Sequence, residues 1–122
     1  MKTRTPTSPA KVAAYNESAA ALFALQLELK ELAKKKPDAT LNKNKVELIN
    51  NVLTDLLEHF KGEPGGKYLA LLDDEQLPQY GDAVLMIAQF ASVLSTFHNE
   101  HHGWEGSEDK WFIEPQGQKQ RK

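Results

Sequence analysis

Three of the chain's four histidines fall within five residues, His98, His101 and His102, in the stretch HNEHHGW at 98–104. Imidazole nitrogens from one helical turn can share a transition metal such as zinc or nickel. His98 and His101 are three apart, and His98 and His102 four apart, so a helix projects all three to roughly one side. Further ligands would be needed, and Glu100 points away from His98. His59, beside Glu58, is the one remaining imidazole. The Glu-x-x-His and His-Glu-x-x-His patterns of helical metal sites are missing. The competing account is structural. His101 continues an apolar stripe from Phe97, and a cation in the last helical turn gains about 0.3–1 kcal/mol from the macrodipole. Histidine also titrates near neutrality, which makes the run a candidate pH-responsive contact. We read it first as a helix ending capped by Gly103 and second as a metal cluster. The first reading expects no cofactor, the second a divalent transition metal.

Three other stretches invite chemistry. GEPGGKY at 62–68 resembles a phosphate-binding loop, but only three residues separate Gly62 from Gly66, and Tyr68 stands where a hydroxyl residue belongs. It also follows a helix pattern, not a strand. KELAKKKPDATLNKNK at 30–45 holds six lysines. Lysines contact phosphates, yet no arginine or aromatic is interleaved, so a solvated helix end is favoured over nucleic acid. Asp73, Asp74, Glu75 and Asp82 do not follow calcium-loop spacing. No nucleophile, base and oxyanion donor can be matched, so no catalytic residue is assigned.

The elements that carry these residues are helical. Ser8-Pro9 reads as a helix start, with serine as N-cap and proline at the first position. That helix reaches about Lys36, before Pro37. Leu22, Leu25, Leu29 and Leu32 form its seam, which Tyr15 and Ser18 extend backwards. Phe23 and Leu27 lie on another face. Thr40 or Asn42 opens a second helix with the stripe Val46, Ile49, Leu53, Leu56 and Phe60, ending before Gly62. KYLALL suggests one or two short helical turns. Asp82 is the expected N-cap of the last helix, whose stripe is Ile87, Phe90, Leu94, Phe97 and His101. The tail carries Trp104, Trp111, Phe112 and Ile113, too apolar to stay in water, and is expected to fold back. No alternating stretch is long enough to call a strand.

The chain has 122 residues, no cysteine and a net charge of −2. One domain is expected, without disulfides or a cysteine nucleophile. Residues 1–36 carry seven Lys/Arg and three acids, whereas residues 62–114 carry two lysines and ten acids. Such a split meets its complement within one fold or across a dimer. No apolar run approaches the roughly 18 residues needed to span a bilayer. We therefore expect a cytoplasmic protein with no membrane partner.

The fold expected is all-α: an antiparallel bundle of three long helices, one short helix and a docked tail. Residues 1–8 are expected as a disordered arm, 9–114 as the domain and 115–122 as a disordered basic tail. The function expected is a non-enzymatic protein–protein interaction or adaptor module that self-associates. Its contact residues would be Phe23, Leu27, Trp104, Trp111 and Phe112, because three helices cannot hide that much apolar surface. The alternatives are a metal-binding bundle using His98, His101, His102 and His59, and a nucleic-acid accessory protein using the lysine run.

Overall fold

The computed structural model describes residues 4–115; residues 1–3 and 116–122, which hold the start of the expected arm and nearly all of the basic tail, lie outside them. Within that span the chain is mostly helical, with one small antiparallel sheet.

Helix α1 is Pro9–Lys35. The Ser8 hydroxyl accepts from the Lys11 N–H, and Lys34 and Lys35 sit in the last turn. Both choices satisfy or offset the free backbone groups of a helix end. Helix α2 is Lys43–Phe60, capped by the Asn42 side chain on the Lys45 N–H at 2.8 Å. Helix α3 is Tyr80–His101 and starts earlier than Asp82. Asp82 lies in its first turn instead of capping it. Tertiary pairing sets this start. The Tyr80 and Gly81 N–H groups donate to the Ala39 and Pro37 carbonyls, and the Leu41 N–H donates to the Pro78 carbonyl. Backbone from the α1–α2 turn thus does the work of a capping side chain.

These bonds put the end of α1 at the start of α3. Thr5, just before α1, donates its N–H to the Glu100 carbonyl near the end of α3. Lys11 of α1 pairs with Glu63, just past α2. So α1 runs opposite to both other helices. Helices α2 and α3 run the same way: Lys45 bonds the Tyr80 hydroxyl near their starts, and Phe60 meets Phe97 near their ends. This departs from a strictly alternating order, and the segment 61–79 must travel back along α2. The predicted stripes face the core: Leu22, Leu29, Val46, Leu53, Leu56, Phe60, Ile87, Phe90, Leu94 and Phe97 are buried. Each contributes roughly 1.5–3 kcal/mol by leaving water. By length and composition alone α3 is apolar enough to cross a membrane; the apolar run itself is interrupted by Gln89, Ser92, Ser95 and Thr96. Here its stripe is packed against α1 and α2.

The short helix shrinks to a single 3-10 turn, Gly66–Tyr68. Residues 69–72 belong to no helix or strand, and Leu69 is extended at φ −75° and ψ 138°. Asn50 of α2 holds Leu72 by its N–H and its carbonyl, both at 2.9 Å, which competes with helical bonding there. The all-α expectation is corrected at the C-terminus. Strands β1, His102–Glu105, and β2, Glu108–Trp111, pair antiparallel, with Trp104 opposite Asp109 and His102 opposite Trp111. The turn between them is Gly106-Ser107, with Gly106 at φ 63°, a conformation glycine adopts without steric cost. The arm is also held where it is described. Thr7 is buried and exchanges backbone bonds with Phe112 and Glu114.

Gly66 is buried where the chain doubles back on the end of α2. A methyl group there would lie 2.3 Å from the Phe60 carbonyl oxygen, whereas one at Gly62 would meet nothing within 4 Å. Gly66→Ala is therefore expected to destabilise by about 1–3 kcal/mol through overpacking. Thermal unfolding followed by circular dichroism checks this, with Gly62→Ala as the neutral control.

Candidate functional site

The histidine run is divided by the end of α3. His101 is buried; its Nδ1 donates to the Thr5 carbonyl, and its ring lies 4.8 Å from that of Phe97. His98 and His102 stack on each other, centroids 4.4 Å apart. The Trp111 ring stands edge-on to both, at 5.3 and 5.0 Å, and Tyr15 of α1 lies 5.7 Å from His98. Asp109 of β2 brings Oδ1 to 3.4 Å from His102 Nδ1. His102 and Trp104 share one face of β1, with Trp111 and Asp109 opposite them on β2.

Gly103 is not the cap. The extended His102, φ −123° and ψ 135°, ends the helix and starts β1. The last carbonyls of α3 are satisfied from outside the helix: Glu100 by the Thr5 N–H and His101 by the Phe112 N–H. The His102 carbonyl accepts from Arg4 Nε at 2.9 Å. Gly103 leaves room for that arginine, since a methyl group there would come within 2.6 Å of Nε.

The four histidines named for a metal do not converge as a set of four. His101 is turned to the arm, and His59 Nδ1 lies 3.0 Å from the Asp55 carbonyl of its own helix. Among the described residues no three His, Asp or Glu side chains are grouped to hold a metal ion. The local electrostatics are those of a packed cluster. Burial raises the Tyr15 hydroxyl above its ordinary pKa. Burial, then the neighbouring His102, lowers His98; Asp109 opposes this and Arg4 adds to it. On the opposite face of the hairpin, the hydrogen bond to Glu105 raises Lys110.

The expected contact residues separate into two groups. Leu27 and Trp104 stand 69% and 68% exposed. Phe23 and Trp111 are half-buried against the core. Phe112 is half-buried, with Lys110 Nζ 6.0 Å from its ring centre. Two exposed leucines add to the first group, Leu85 of α3 and Leu48 of α2. Leu48 sits one residue before the stripe position Ile49, so helical phasing alone turns it outward.

Leu48 forms the lip of a groove of about 190 Å³ between the second half of α1 and the start of α2. Leu25, Leu29, Leu32 and Leu41 line it, with Glu28 and Lys45 on its walls. Of the lysine run, Lys45 lines it and the exposed Lys35, Lys36 and Lys43 are close in sequence to its lining residues. The turn at 62–66 does not build a phosphate cradle: Gly65, at φ 83°, folds the chain into the 3-10 turn with no strand beneath it. In the acidic run, Asp73 Oδ1 accepts from the Glu75 and Gln76 N–H groups, which hold its carboxyl below the ordinary carboxylate pKa.

The chain matches no protein-family model, no curated protein and no solved structure.

The lowered His98 pKa makes stability depend on pH. The unfolded chain takes up this proton more readily than the folded one. The contribution is therefore complete above the ordinary histidine value of 6.5 and is lost as pH falls below it. The wild-type melting temperature should drop on mild acidification. His98→Phe keeps a ring against Tyr15 and Trp111 but removes the titration, and its melting temperature should drop less steeply. Equal slopes for the two proteins would refute the assignment to His98.

Proposed function

We propose that the chain is a non-enzymatic protein-interaction module of the cytoplasm, built as a small helical bundle, and that a second copy is among its partners. One observation carries this reading. Leu27, Leu48, Leu85 and Trp104 stay more than three-fifths exposed, although an apolar core has already closed beneath them. Scattered exposed leucines are ordinary, but a tryptophan and three leucines on all three helices and the hairpin are surface that association covers. Chemistry has little to build on. The buried side-chain nitrogens and oxygens of the described residues all have hydrogen-bond partners. His98 and His102 stack on each other, His101 bonds the arm and His59 bonds its own helix. The apolar stripe of α3 lies inside the fold, which supports a soluble over a membrane-bound role.

Sedimentation equilibrium tests the proposal. The wild-type mass should rise above the monomer value with concentration. A quadruple variant, Leu27→Glu, Leu48→Glu, Leu85→Glu and Trp104→Ser, should stay monomeric. Because all four positions are exposed, each change should shift stability by no more than about 0.5 kcal/mol. A wild-type chain that remains monomeric throughout would end the self-association reading.

A further inference from the structure

We infer that the α1–α2 groove receives the acidic segment 71–75 of a second copy, each copy offering both its groove and its segment. The inference rests on the self-association proposed above and names the surface that performs it.

The groove is apolar. Leu25, Leu29, Leu32, Leu41, Leu48 and Ile49 line it, side chains that offer water no hydrogen bond. An incoming apolar side chain would cover them. The rim is basic. Lys45 lines the groove, and Lys35, Lys36 and Lys43 are exposed and lie within four residues, in sequence, of the lining residues Leu32 and Leu41. Among the described residues none of Lys35, Lys36 and Lys43 forms an ion pair. The occupant must therefore carry an apolar anchor flanked by carboxylates.

Segment 71–75 has that chemistry. Leu71 is 41% exposed, and Asp73, Asp74 and Glu75 follow it, all exposed. The segment is also held ready. Asn50 pins Leu72 by two backbone bonds, and the Asp73 carboxylate bonds the Glu75 and Gln76 N–H groups. A segment already ordered loses little entropy on docking.

Placement completes the case. The groove uses Leu41, just before α2, and Lys45, Leu48 and Ile49 of α2. The segment leaves Asn50 and returns to Leu41, whose N–H donates to the Pro78 carbonyl. Both patches thus flank the same stretch of α2. Two copies related by a two-fold axis can then exchange them reciprocally, as an isologous dimer requires.

The test uses full chains in sedimentation equilibrium. Leu48→Glu and, separately, Leu71→Lys should shift the chain to monomer without lowering its melting temperature. Lys35→Glu with Lys36→Glu, and separately Asp74→Lys with Glu75→Lys, should each weaken the homodimer at least about tenfold by facing like charges. Mixing these two charge-reversed chains restores opposite charges at both contacts, so the heterodimer should regain wild-type affinity. Added salt should weaken the wild-type dimer. A wild-type dimer that Leu48→Glu leaves intact but Leu27→Glu dissolves would overturn this surface while sparing self-association. Failure of the mixed chains to pair would overturn the exchange of segment and groove. A monomeric wild type would end both proposals.

Discussion

The Phe97 ring is the point on which the structure closes. It lies 6.1 Å from Tyr15 of α1, 4.9 Å from Phe60 of α2, 4.8 Å from His101 and 5.6 Å from Trp111 of β2. One side chain of α3 therefore refers both other helices and the hairpin to itself. Burying it contributes roughly 1.5–3 kcal/mol, and each well-placed aromatic partner adds about 0.5–1.5 kcal/mol. The positions of these rings along their helices also fix direction. Once Tyr15 and Phe60 both meet Phe97, the starting half of α1 and the ends of α2 and α3 must lie at one level.

That constraint propagates to both ends of α3. Its start is bonded to the α1–α2 turn, and its end to the arm and tail. With α2 and α3 running the same way, the connection between them has to return along α2. Buried Leu69 and Leu72 and the Asn50 clamp hold it there. The clamp then presents Leu71 and the acidic residues after it to solvent. The same packing leaves the groove between α1 and the start of α2 open. Parallel α2 and α3 thus account for both halves of the proposed dimer contact.

The histidines show how a cluster in sequence separates in space. His101 faces inward because its position repeats that of Phe97, one helical turn before. His98 and His102 flank that stripe, where the hairpin folds over them and Trp111 covers both rings. His101 Nδ1 bonds the arm carbonyl and His102 Nδ1 faces Asp109, so neighbours in sequence have different partners in space.

Local rules determined much of this molecule. Serine before proline, asparagine at 42 and proline at 37 set three helix ends, because caps and a missing N–H act within a few residues. Periodicity named the core stripes, because each helix needs only one face out of water. It also placed Leu27 outward. The hairpin was less legible: Gly-Ser between Trp104-Glu105 and Glu108-Asp109 is a turn signal, but four-residue strands give alternation too little length to register. The start of α3, the fate of KYLALL and the cap at His102 were not local matters. Each is fixed by backbone bonds to residues distant in sequence. Those bonds exist only after the helices have packed, and so tertiary structure alone decided them.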